Sequence, residues 1–581
     1  IRPWIETELQ WEMDPAQARA RLKAAGGASL KDLDFTTEFL RGSLRAKGEL
    51  PASSAGPSAW LDLVQIEGEA EGVKIKALGR EDLVSAALSF AQHGDQITLD
   101  PLQLILPGAT LSGRITAPAL GKGRVNGELK LQRADLGKLK ELVASVWHQL
   151  PDSLVAGSTP PEQWSGIAGG FSGTISLKLP LPLPQKLPAS AVTGNFSLGR
   201  IALAAESLSD SLVIRSGTIA ATSQSAELSK IVLTSTGLEG TVAGKLDAWP
   251  QEYRFIGNAN FALVDLDKLL KESGQKQARA SGRWWSVDTA YAQEAKPEFP
   301  APPEKLKMQV QLAAQKFRSR GYEIENLTGH LDLQSQVMKL SDLKGSMGGG
   351  KLVGQGSVDW KTKPSTWKGQ VEAQQVSATS CLSPFAPKLA QAFQSSFSGL
   401  IQLNGPLTSD RKAILQALGG GGALKGSAGD FLTGTLLGEE LDKLPGKMAD
   451  KLRDIPFKEF LAQVRFEGGK AHFDQAILKG PTQLKADGWA GFDGTVDYQL
   501  ELKLPVGENL DLGSLTPLSE FLREKDGRIT IPFHVSGPST KPKVTPELDA
   551  AEKRAKDAVN QNLGNKLQDL LNGLKRKKGG G

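Results

Sequence analysis

A single cysteine, Cys381, among 581 residues leaves no partner for an internal disulfide. The net charge of +5 is small for this length, so the chain carries no nucleic-acid footprint. Five histidines, His93, His148, His330, His472 and His534, lie far apart, and none has the spacing of a zinc site. The Gly-x-Ser-x-Gly motif of serine hydrolases is missing, and Cys381 has no histidine neighbour in sequence. The Asp-Leu-Asp triplets at 32–34 and 265–267 lack the spacing and distant glutamate of a calcium loop. No run of 18 apolar residues is long enough to cross a membrane as a helix. The chain opens on Ile1 rather than Met, and an upstream signal or anchor is expected to be missing from it. No catalytic residue, metal ligand or cofactor is expected, and the reading is non-enzymatic.

What is abundant is glycine and proline, 64 and 32 residues, in a chain that is still 39% hydrophobic. Such a composition is ordered, heavily punctuated and β-leaning. Alternation dominates. Phe171, Gly173, Ile175, Leu177 and Leu179 interleave with polar residues, as do Val496, Tyr498, Leu500, Leu502 and Leu504, and Ile529, Ile531, Phe533 and Val535. Each reads as a strand with one oily and one wet face. A local signature of apolar, any, Gly, any, apolar recurs at 111, 125, 171, 192, 238, 327 and 397. Its glycine falls on the apolar face, where it removes a side chain at a bend or a close approach and permits strong curvature.

Longer repeats are present too. "GELKLQRADLGKL" (127–139) and "GNANFALVDLDKL" (257–269) align without gaps, and "GQVEAQQVSATSC" (369–381) is a diluted third copy. Each predicts a strand that runs into a helix, with Asp135 and Asp265 as helix caps.

One stretch competes with this reading. In "KGSMGGGKLVGQGSVDW" (344–360), Gly345 to Lys351 spells G-x-x-x-x-G-K, the start of a phosphate-binding loop. The next residue is Leu352, which has no hydroxyl for Mg²⁺. Residues 352–360 alternate with a period of two, where a phosphate loop needs a helix whose N-terminus holds the phosphate. A β-repeat, and no nucleotide, is expected.

Helices are few: a stripe from Leu136 to Leu150, short candidates at 383–394 and 515–524, and a C-terminal amphipathic helix. The last carries Val559, Leu563, Leu567, Leu570, Leu571 and Leu574 on one face and ends in Lys575, Arg576, Lys577 and Lys578. That helix either caps the open end of a sheet or meets an anionic membrane or a partner. The adjacent Trp284 and Trp285 suit local packing or an interface. The expected divisions are an unassigned mixed region over 1–100, a first β-repeat region over 101–290, a proline-rich linker over 291–306, a β-groove over 307–545, and the helix with its basic tail over 546–581.

Three ordered blocks, "LTGHLDLQSQVMKLSDLKGSMGGGKLVGQGSVDW" (327–360), "LKADGWAGFDGTVDYQLELKLP" (484–505) and "IPFHVSGPSTKPKVTPEL" (531–548), resemble the AsmA-like family of bacterial envelope proteins. The resemblance covers about 310–550 and extends more weakly over 100–275. It implies a mainly β fold: an elongated, strongly curved sheet whose apolar groove carries phospholipid between inner and outer membranes, with those membranes or their proteins as partners. It also implies a periplasmic location and an inner-membrane anchor preceding this chain. Leu331, Leu333, Val496, Tyr498, Leu500, Leu502, Ile529, Ile531 and Phe533 would line that groove. Low aromatic content suits a smooth aliphatic channel, and about 25–35 strands at ~4.8 Å each would extend roughly 120–170 Å. The alternative is a non-catalytic, β-rich structural or scaffold protein of the periplasm.

Overall fold

The structure, a computed structural model, describes residues 4–547 apart from 15–33, 147–165, 270–300, 438–449, 508–521 and shorter gaps. The expected C-terminal helix with its basic tail, the Trp284–Trp285 pair and most of the proline-rich linker lie outside the described residues. The chain divides into two compact units, residues 1–271 with 305–311, and residues 272–304 with 312–581.

Both units are built mostly from long antiparallel strands that pair in sequence order, and the short Asp34–Thr36 pairs with Val64–Ala77. In the first unit the meander runs from Trp4–Glu12 through Phe39–Glu49, Val64–Ala77, Arg80–His93, Gln96–Leu106, Ala109–Pro118, Gly123–Asp135, Ile167–Leu181, Val192–Leu203, Leu212–Thr222, Ser225–Ser235 and Leu238–Asp247 to Tyr253–Asp265. In the second it runs from Tyr322–Gln334 through Val337–Met347, Gly350–Asp359, Thr366–Ser377, Ser396–Pro406, Gly419–Gly426, Glu459–Glu467, Lys470–Lys479, Gln483–Gly491, Thr495–Lys503 and Thr530–Pro538 to Lys543–Pro546. The fold is mainly β, open and curved; among the described residues no barrel closes, and helices are few and short.

The repeats have a physical basis. The strand Gly123–Asp135 runs into the helix Leu136–Val146, Tyr253–Asp265 into Leu266–Leu269, and Thr366–Ser377 into Ala378–Leu382. Asp135 Oδ1 accepts the amide of Lys138 at 3.1 Å, and Asp265 Oδ1 that of Lys268 at 3.2 Å, so both expected caps form. In the third copy Ser377 holds this place and makes no side-chain cap. All three strand ends dock on the same kind of hairpin turn. The amides of Asp135, Asp265 and Ser377 donate to the carbonyls of Gly108, Gly237 and Gly348. Those glycines have φ of 85°, 89° and 53°. A Cβ on Gly108 would stand 2.6 Å from Lys138 Cβ, so the turn needs both the conformation and the empty space of glycine.

The signature glycines answer to close approach. Gly173 pairs with Phe196 and Gly240 with Phe261, and the large ring lies across the glycine. A Cβ would come within 2.7 Å and 2.4 Å of those rings. Gly399 opposite Leu424 repeats the arrangement with an aliphatic partner, whereas at Gly113 it is the backbone of Glu128 and Leu129 that comes close.

Two helix expectations are adjusted. Over 383–394 the helix is confined to Pro387–Ala392 and gives way to a strand at Phe393–Gln394. The described end of 515–524 is not helical: Arg523 bridges Ile529, and the amide of Thr530 donates to the carbonyl of Leu522 at 3.0 Å. The G-x-x-x-x-G-K stretch crosses the hairpin of Val337–Met347 and Gly350–Asp359. No helix succeeds it, which removes the geometry a phosphate loop requires.

Candidate functional site

Directly opposed residues of an antiparallel pair share a face, so the register can be followed from strand to strand. One row of the first unit reads Leu40, Ala70, Leu88, Leu102, Gly113, Leu129, Ile175, Gly194, Ala221, Ala226, Leu246 and Phe255. The next row on the same face reads Val73, Ala86, Leu104, Leu111, Leu131, Gly173, Phe196, Ile219, Leu228, Gly244 and Gly257. Neither contains a polar side chain. In the second row only Ala86 and Leu131 are buried; the others remain half-buried. Where Leu139 of the helix Leu136–Val146 packs on Leu131, Ala109 and Ala134, a small core forms at one rim. The opposite face carries the charges, including ion pairs of Arg45 with Glu8 and Lys47 with Glu6 at the Trp4–Glu12 edge.

The second unit follows the same rule. A row from Leu331 passes through Leu340, Gly356, Gly369, Leu403, Gly420, Phe466, Ala471 and Ala490 to Val496 and Gly537. Leu331 and Val496, far apart in sequence, thus stand on one face. A second row runs Leu343, Gly354, Val371, Ile401, Gly422, Val464, Phe473, Gly488, Tyr498, Val535 and Val544.

The proposed lining residues fall into two environments. Leu331, Val496, Tyr498 and Leu500 are half-buried, and burial raises the Tyr498 phenol pKa above its usual range. Leu333, Leu502, Ile529, Ile531 and Phe533 are buried. The last four belong to a protein core that sequence reasoning missed. Two insertions, between Ser377 and Ser396 and between Gly426 and Glu459, leave the sheet at the same rim, and their described residues Ala378, Phe393, Phe431, Ile455 and Phe457 pack on the apolar face. Phe393–Gln394, Gly429–Phe431 and Ile455–Phe457 form a small three-stranded sheet there. Phe393, on an edge strand of that sheet, is the hub of an aromatic cluster, with the rings of Phe397, Phe431, Phe457 and Phe460 between 5.1 and 5.5 Å away. Beneath this plug runs a fully buried row: Val376, Phe397, Gly426, Phe460, Leu478, Leu484, Leu502 and Ile531.

Polar chemistry is sparse and lies on the other face. His534 Nε2 is 3.0 Å from Asp497 Oδ1, and His330 Nδ1 is 3.6 Å from Asp342. Burial pushes the Cys381 thiol up to about 11, which makes it a poor nucleophile. Among the described residues no three His, Cys, Asp or Glu side chains gather as a metal site, and no helix is long and apolar enough to cross a membrane.

In comparison with known proteins, the family model described as the AsmA family matches residues 102–474. That span includes the first of the three resembling blocks and stops short of the other two. No curated protein and no solved structure matches.

Proposed function

Because the chain belongs to the AsmA family, we propose that it is an envelope protein of the periplasm. In this reading it carries phospholipid, or another acyl lipid, along its apolar sheet faces between inner and outer membranes. The observation that carries this reading is the pair of first-unit rows without a polar side chain, most of whose residues in the second row stay half-buried. Fully burying a Val, Leu or Phe side chain is worth about 1.5–3 kcal/mol. A continuous face of such residues left partly wet is therefore costly, and extended exposed apolar surface marks a binding surface. Acyl chains would cover it without needing any hydrogen-bond partner, and this face offers none. Lipid headgroups would stay at the wet rims. The reading assigns no bond-making step to any residue.

Mass spectrometry of lipids extracted from the gently purified full chain tests the reading. Co-purifying diacyl lipid is the expected result. A chain that is folded and free of lipid would favour the scaffold alternative.

A further inference from the structure

The same row of the second unit holds two valines with opposite fates. Val371 is 47% exposed and Val464 is 5% exposed. Between them the row passes only through Ile401 and Gly422. Both valines sit on the apolar face of one sheet, so residue type and face do not account for the difference. Val464 lies on the strand that carries Phe460 and Ala462, both members of the core that holds Phe393 and Phe457, and is opposed by Phe473, which packs against that core. Val371 lies ahead of it, with Gly354 on one side keeping the floor low and Ile401 on the other.

We propose that the acyl-accessible face of the second unit ends at a subsite floored by Gly354, Val371, Ile401 and Gly422, and that the phenylalanine plug is its end wall. The inference rests on the lipid-carrying reading and adds where the path stops. Beyond the wall this chain's own side chains cover Phe460, Leu478, Leu484, Leu502 and Ile531. Leu502, Ile531 and Phe533 then serve as core rather than as lining. An acyl chain reaching Val371 has to leave sideways over the rim opposite the plug, unless the plug itself moves.

The test uses the unmodified full chain and a diacyl phospholipid with a diazirine in its acyl chain, followed by peptide mapping of the adducts. Carbene insertion requires van der Waals contact, so adducts on Thr366–Ser377 and Ser396–Pro406 should exceed those on Glu459–Glu467 and Thr530–Pro538 by about tenfold. Comparable labelling of the two sets overturns the end wall. Labelling of first-unit strands such as Ile167–Leu181, with none on Thr366–Pro406, overturns the subsite while lipid carriage stands. Absence of adducts from the whole chain overturns both.

Discussion

The glycines of this sequence set what their neighbours can do. Phe196 lies across Gly194 and Gly173, and a Cβ on Gly194 would meet its ring at 2.6 Å while the nearest backbone atom, the Thr174 oxygen, stays at 3.4 Å. The conflict is therefore with one side chain. Gly194→Ala should cost about 1–3 kcal/mol through overpacking, read as a lower urea midpoint. Combining it with Phe196→Leu, which removes the ring, should cost less than the sum of the two single changes. Strict additivity would mean that the glycine is needed for another reason. The sequence made the position of such glycines legible, because they recur on the apolar side of an alternating pattern. It did not make their partners legible. The ring over Gly173 comes from a strand whose register is fixed only by pairing.

At the scale of elements, the strand-to-helix repeat was readable because its signals are local: alternation, then Asp, then a leucine stripe. The plug was not. Phe393, Phe431 and Phe457 sit in strands of two or three residues, too short to show any period. They meet only after the chain has folded back over its own sheet. The difference between repeat copies gives a test. Asp135 caps the helix Leu136–Val146, whereas Ser377 caps nothing by its side chain. Asp135→Ala should destabilise the first unit by about 1 kcal/mol, while Ser377→Ala stays within the roughly 0.5 kcal/mol typical of substitutions without a special role. Denaturant melts of the two variants against the parent check this. Equal losses would mean that the cap is not what the aspartate contributes.

In each unit, alternation correctly showed that the strands have an oily face, and register carries that face from strand to strand within the unit. It could not show which parts of the face are wet, since a strand beneath a plug and a strand beneath lipid have the same pattern. This decides how lipid carriage should be challenged. A charge at Leu500, between Ala486 and Phe533 and against the core, would damage the fold and leave transfer uninterpretable. Val371 avoids the confusion because it is already 47% exposed. Val371→Asp should leave the thermal midpoint almost unchanged, since the carboxylate stays hydrated when no lipid is bound. Covering it with an acyl chain would strip that hydration, at a cost of roughly 2–7 kcal/mol even for a neutral polar group. Passage over the subsite should thus fall more than about tenfold, a change of only ~1.4 kcal/mol. Gln355→Asp adds the same charge on the wet face of the neighbouring strand, where the side chain is exposed, and should leave transfer intact. The measurement is movement of a labelled phospholipid between donor and acceptor vesicles by the purified chain. Equal transfer by both variants would remove Val371 from the path. Equal loss would point to net charge rather than to a face.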